Sequence, residues 1–295
     1  MFCKRTIFCG AIIARTSDEA EATVQNLSDV SGGSRMKERT EVLACKVTAL
    51  LFLAGSFSLT GAQDDTKWKP HDRNRPAPVA VDPGMPGTEN ATGRAPEDAI
   101  VLFDGKDLSK WAHKDGSAAK WTVADGYFQV MPKTGDIFTR QAFGDMQLHV
   151  EFAEPSPAVG EDQDRGNSGV IIMGLYEVQV LDSYKSKTYP DGQAGAVYGQ
   201  YPPLVNASRP PGQWQTYDII FHAPRFDAGG KVLRAADVTV LHNGVLVQDH
   251  VEIHGPTATN EPYKAHAEKL PLELQDHNHP VRYRNVWVRG LTAKE

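Results

Sequence analysis

The 295-residue chain is poor in cysteine: it has three, Cys3, Cys9 and Cys45, all near the N-terminus. From residue 46 onward no disulfide, thiolate nucleophile or thiolate metal site is available. Basic runs are also missing. Lys and Arg number 31 against 37 Asp and Glu, a net charge of −6. That balance argues against nucleic acid as a partner, because phosphate binding needs a concentrated basic face. The longest apolar run, Val47–Leu59 (VTALLFLAGSFSL), falls short of the roughly 20 residues of a membrane span. No stretch carries sustained helical periodicity, and no GxGxxG, P-loop, HExxH or GxSxG motif occurs.

Lys37, Arg39 and Lys46 precede the apolar run, and Thr60, Gly61 and Ala62 follow it. A basic flank, a short apolar stretch and a small-residue exit predict a signal peptide over 36–62, and so export to the periplasm or beyond. No cysteine closes the run, so no lipid anchor is expected. Signal peptides start close to an initiator Met, which makes Met36 the expected start and 1–35 an extension. From Gln63 to Pro96 six prolines and three glycines predict an extended linker, 63–98.

From Ala99 the hydrophobic period is two. Met146, Leu148, Val150 and Phe152 alternate with Gln147, His149 and Glu151, the signature of a half-buried strand. Asn243-Gly244 between Val238–Leu241 and Val245–Val251 is a strong hairpin signal. Further strands are expected at Ile100–Phe103, Trp121–Val123, Tyr127–Val130, Ser168–Met173, Tyr176–Leu181, Gln215–Phe221 and Val281–Leu291. In the last, apolar positions change phase between Tyr283 and Val286, predicting a bulge at Arg284-Asn285. About a dozen short strands separated by turns imply an all-β sandwich or barrel.

Two stretches hold candidate chemistry. In Tyr176–Asp182, alternation places Glu177 and Gln179 on one face, and a bulge at Val180-Leu181 would bring Asp182 to them. Two carboxyls in different environments can divide acid and base roles. A solvated strand face is the competing expectation. In Leu274–His279, His277 beside Asp276 suits proton transfer. His277 and His279 at i and i+2 are also a possible metal pair, against the alternative of a polar turn. Tyr184, Tyr189, Tyr198, Tyr201, Asn206 and Trp214 supply the aromatic faces and amides that suit sugars, although ordinary core and loop packing is the favoured reading of any single one.

A set of short motifs stands in one order: Leu102-Phe103-Asp104-Gly105-Lys106-Asp107-Leu108 with Trp111, Trp121 with Asp125-Gly126, Asn167-Ser168-Gly169, Glu177-Val178-Gln179-Val180-Leu181-Asp182, Gly212-Gln213-Trp214, Asn243-Gly244, and Leu274-Gln275-Asp276-His277 with Arg284-Asn285. In this order the chain, over about 99–291, resembles the 3-keto-disaccharide hydrolase domain, also described as a 3-keto-glucoside 1,2-lyase/hydratase domain. The resemblance implies a concanavalin-like jelly-roll β-sandwich of two antiparallel sheets, acting on glycosides oxidised at C3. The Glu177–Asp182 segment is similar to the E-x-D-x-x-E strand of family 16 glycoside hydrolases. Gln179 replaces the central carboxylate and Asp182 the last Glu, which speaks against ordinary retaining chemistry. The expected catalytic residues are Glu177, Asp182 and His277. The expected substrate contacts are Asn167, Gln179, Tyr198, Gln275, Asp276 and Arg284, with Arg284 also suited to a structural salt bridge. No cofactor is required on this basis, though a divalent metal is compatible. The expected partner is a 3-keto-glucoside, with no nucleic acid and no membrane span. A lectin-like binding module and an envelope interaction module are the competing functions.

Overall fold

The computed structural model describes residues 67–291 apart from 260. The expected signal peptide and the extension before it lie outside the described residues. The described chain is almost wholly β: fifteen strands and one 3₁₀ turn, Pro190–Gly192. Among the described residues no helix is long and apolar enough to cross a membrane.

Two antiparallel sheets form a jelly-roll sandwich. The larger has eight strands, in the order β13 (Val245–Glu252), β12 (Asp237–His242), β9 (Gln215–His222), β6 (Met146–Ala153), β15 (Arg282–Gly290), β4 (Tyr127–Gln129), β3 (Thr122–Ala124). β1 (Ile100–Phe103) also pairs with β15. The smaller has the order β2 (Trp111–Ala112), β5 (Ile137–Phe143), β14 (Leu270–Leu274), β7 (Ser168–Ile172), β8 (Tyr176–Val180). A small ribbon, β10 (Arg225–Phe226) with β11 (Val232–Arg234), stands apart.

The core lies between the sheets and follows the alternation. Leu148, Val150 and Phe152 from one sheet meet Val170, Ile172, Val178 and Val180 from the other, all at most 2% exposed. Two phenols tie the layers: Tyr217 donates to the Gln179 carbonyl at 2.7 Å, and Tyr283 to Ser168 Oγ at 2.6 Å. Buried hydroxyls need such partners. The Asn243-Gly244 turn has both residues at positive φ, 53° and 77°, as a tight β12–β13 hairpin requires. The expected bulge on β15 is present: Arg284 pairs with Glu151 but Trp287 with His149, one residue extra, and Asn285 takes φ 46°.

Two expectations fail locally. β7 and β8 pair in unbroken register from Ser168–Val180 to Ile172–Tyr176, and β8 ends at Val180. The bulge expected at Val180-Leu181 does not form. The Pro/Gly-rich segment expected as a linker is irregular, but its second half is fixed on the fold. Met85 and Arg94 exchange backbone hydrogen bonds at 2.8 Å, and Glu89 accepts one from the Trp214 amide at 3.0 Å. This loop covers the outer face of the eight-stranded sheet, so β6, expected half-buried, is buried on both faces.

Candidate functional site

The outer face of the five-stranded sheet carries the site. Cross-strand register sets a row: Phe138 on β5 lies opposite Glu273 on β14, Glu273 opposite Ile171 on β7, and Ile171 opposite Glu177 on β8. Beyond Glu177 the chain passes once more along the edge, where the Tyr198 amide donates to the Glu177 carbonyl at 3.2 Å. Alternation sends Tyr176, Val178 and Val180 into the core and turns Glu177 outward.

Glu177 is only 6% exposed, yet its carboxyl receives no hydrogen bond from the described residues. The space it occupies exists because residue 169 is glycine: a β-carbon there would lie 2.5 Å from Glu177 Oε1. Burial, and then the charge of Asp136, push Glu177 up to about 7. Glu273 is pushed up to about 8, by burial, by the charge of Asp136 and by a hydrogen bond with it; Lys114 opposes the rise. Asp136 sits on the turn into β5. Its carbonyl accepts from His113 Nδ1 at 2.9 Å, and its Oδ1 accepts from the Asp276 amide at 2.7 Å. Three carboxyls, Glu177, Glu273 and Asp136, thus act on one another electrostatically on one sheet face, where Glu273 and Asp136 line an open hollow, and two of them are set to exchange protons near neutral pH.

The expected site residues divide. Gln275 belongs to the site: its amide donates to the Gly169 carbonyl at 3.1 Å, and its Oε1 is buried with no partner. Tyr198 stands at the groove edge, with its hydroxyl 2.5 Å from that of Tyr189. His277 is on the adjoining turn but exposed, its ring 6.1 Å from His279 and nearly parallel to it. His279 Nε2 lies 3.1 Å from Asp164, so the two histidines do not converge as a metal pair. Among the described residues no three His, Cys, Asp or Glu side chains are placed to hold a metal ion.

The other expected contacts are committed elsewhere. Asp182 accepts from Arg165 Nε at 2.8 Å and from the Tyr184 amide at 3.1 Å, and is 2% exposed. Without the bulge it takes a salt bridge in place of a position beside Glu177. Asn167 and Gln179 both donate to Gln163, at 2.8 Å and 3.0 Å, beneath the loop before β7. Asp276 accepts from the Thr134 and Gly135 amides, each at 2.9 Å, so it shapes the turn that presents Asp136. Arg284 belongs to the other sheet, where its Nε meets Glu151 at 2.5 Å and its guanidinium stacks 4.1 Å over Trp214.

Sequence reasoning missed Glu273 and Asp136. A signal for the first was present: Leu270, Leu272 and Leu274 alternate with Pro271 and Glu273 immediately before the Gln-Asp-His turn.

No curated protein shows significant similarity to the chain. A solved structure of a provisionally assigned glycosyl hydrolase from Parabacteroides distasonis ATCC 8503 is 46% identical, covering 75% of this chain and 95% of that one, with a TM-score of 0.71. A second such protein from the same organism is 22% identical over 66% of this chain and 94% of its own, with a TM-score of 0.49. The family model described as the 3-keto-alpha-glucoside-1,2-lyase-like domain matches residues 98–289, which span both sheets, Glu177 and Glu273. With its jelly roll and its acidic groove, the chain belongs to that family.

Proposed function

We propose that the protein is an exported carbohydrate-active enzyme that cleaves 3-keto-glycosides by elimination across C1 and C2, with or without later hydration. The observation that carries this reading is the raised, unneutralised carboxyl pair Glu177 and Glu273 on one open face. Support comes from the family and from the 46% identical glycosyl hydrolase structure.

A C3 ketone acidifies the C2 proton. Glu177, poised near 7, takes that proton as base. The electron pair forms the enolate, and the C1–O bond then breaks with its pair going to the leaving oxygen. Glu273, which shares a proton with Asp136, protonates that oxygen. The products are a 1,2-unsaturated 3-keto sugar and the aglycone alcohol, and water can add to the double bond by the reverse proton path. Lys114 is the cation available to the enolate oxygen.

The test is incubation with 3-keto-glucosides and their unoxidised parents, followed by product analysis. Release of aglycone from the keto sugars alone is expected. Cleavage of the parents at equal rate would replace this mechanism with ordinary glycoside hydrolysis, and binding without turnover of either would make the domain a lectin.

A further inference from the structure

The groove is not uniform. Phe138 and Glu273 form a saddle between two hollows. One, of about 380 Å³, is polar, with Asp115, Lys120, Thr134 and Asp136 on its walls. The other, of about 440 Å³, is walled by Phe138, Met173, Leu270 and Pro271 over Gly174, with His113, Lys114, Thr139 and Arg140 also on its lining. Glu273 borders both.

Glu273 does not divide itself evenly between them. It is hydrogen-bonded to Asp136, which lines only the polar hollow. Its Oε2 lies 3.4 Å from where a β-carbon at Gly174 would stand, and Gly174 lines only the apolar hollow. The absence of a side chain at 174 therefore opens space next to that oxygen. A sugar held over Ile171, between Glu177 and Glu273, has its leaving oxygen at Glu273. The group beyond that oxygen then enters whichever hollow Glu273 Oε2 faces.

We infer that the hollow over Gly174 is the subsite for the departing group, and that the protein is built for 3-keto-glycosides whose aglycone is apolar and carries a ring. The inference rests on the elimination across Glu177 and Glu273 proposed above. The chemistry of the walls decides the class. Proline, leucine, methionine and phenylalanine reward removal of apolar surface from water, whereas the other hollow is lined mostly by polar and charged side chains. The size of the hollow is within the range that holds an aromatic aglycone.

The test compares benzyl and methyl 3-keto-α-glucosides, whose leaving alcohols are nearly equal in acidity, so that intrinsic reactivity cancels. The wild-type protein is expected to favour the benzyl substrate at least tenfold in kcat/KM. Pro271→Trp fills the hollow, and is expected to bring the benzyl-to-methyl ratio within about threefold. Equal handling of both substrates by the wild type, or a preference that persists in Pro271→Trp, would overturn the aglycone assignment and leave the elimination standing. Turnover of neither substrate would remove the elimination and the assignment with it. Should Pro271→Trp melt early, benzyl alcohol should inhibit wild-type turnover of the methyl substrate where glycerol does not; no inhibition would sink the assignment.

Discussion

The two outer faces of this sandwich treat buried carboxyls in opposite ways. On the eight-stranded sheet Glu151 is 1% exposed and surrounded: Arg284 Nε at 2.5 Å, Asn285 Nδ2 at 2.8 Å and the His149 ring at 3.7 Å. Burial raises its pKa, but those three partners outweigh burial and hold it below its usual range. The loop over that face approaches so closely at Gly87 that a side chain there would strike the carboxyl. On the five-stranded sheet Glu177 is nearly as buried, has no donor, and is raised. Burial alone therefore does not set the charge state of these two carboxyls; the presence or absence of a paired cation does. One face spends its charges on holding the N-terminal loop, while the other keeps them available for proton transfer.

The largest effects should separate the faces. Glu177→Gln keeps the shape and removes the base, so kcat on a 3-keto-glucoside should fall about 10²–10⁴-fold, the usual worth of a general base. Its melting temperature should not fall, since the variant removes a buried carboxyl with no partner. Arg284→Ala should do the reverse, costing about 3–5 kcal/mol of stability by stranding Glu151 and leaving kcat near wild type in the folded protein. Urea melts with parallel kinetics on both variants check this. If Arg284→Ala lost activity while keeping its stability, the contrast between the faces would be wrong.

Gly169→Ala sharpens the same contrast at its narrowest point. The new methyl would meet the far end of a flexible side chain, so the fold should survive with a cost near or below 1 kcal/mol, the ordinary scale for a point substitution. The Glu177 carboxyl must move, and a displacement of this size in a catalytic group typically costs on the order of 10²-fold in rate. Kinetics and a crystal structure of the variant would report both. An unchanged kcat would show that Glu177 need not stand where Gly169 allows it.

The faces should also differ in the sign of their pH dependence. Glu273 titrates near 4.5 when unfolded and near 8 when folded, so the folded state holds the proton more tightly. Its contribution to stability is present at low pH and is lost as pH rises from about 5 to 8. Glu273→Gln should therefore gain in melting temperature over the wild type across that window. Glu151 is lowered, so its contribution is present above the ordinary carboxylate range and is lost on acidification. Glu151→Gln should lose most at neutral pH and least in acid. In kinetics, base and acid near 7 and 8 predict a bell-shaped kcat/KM centred between them. A flat profile from 6 to 9 would discard the pair.

The frame was legible in the sequence because it is local. The phase change around Arg284-Asn285 encodes the β15 bulge, and Asn243-Gly244 encodes its hairpin. The outward turn of Glu177 follows from strand alternation alone. What stayed hidden depends on which strands become neighbours. Glu273 comes within electrostatic reach of Glu177 only because β14 lies between β5 and β7, a pairing that joins Phe138 to a residue 135 positions later. The fate of Asp182, Asn167 and Gln179 was hidden for a related reason. Their partners, Arg165 and Gln163, come from a loop with no periodicity to read.

The smallest expected effect concerns His277, where composition and geometry diverge most. A histidine beside an aspartate looks like a proton carrier in the sequence. In the fold Asp276 turns away to cap the Thr134 and Gly135 amides, and His277 is left at the exposed tip, stacked on the His279 ring and with no hydrogen bond to its own ring among the described residues. An unburied imidazole without an orienting partner has no fixed direction in which to move a proton. His277→Ala should therefore change kcat by less than about threefold, far below the 10²-fold floor for a general base. Asp136→Asn, which alters the partner of Glu273, should cost considerably more. If His277→Ala proved the more damaging of the two, the turn would have to close over the groove on binding substrate, and the base would be sought there and not on β8.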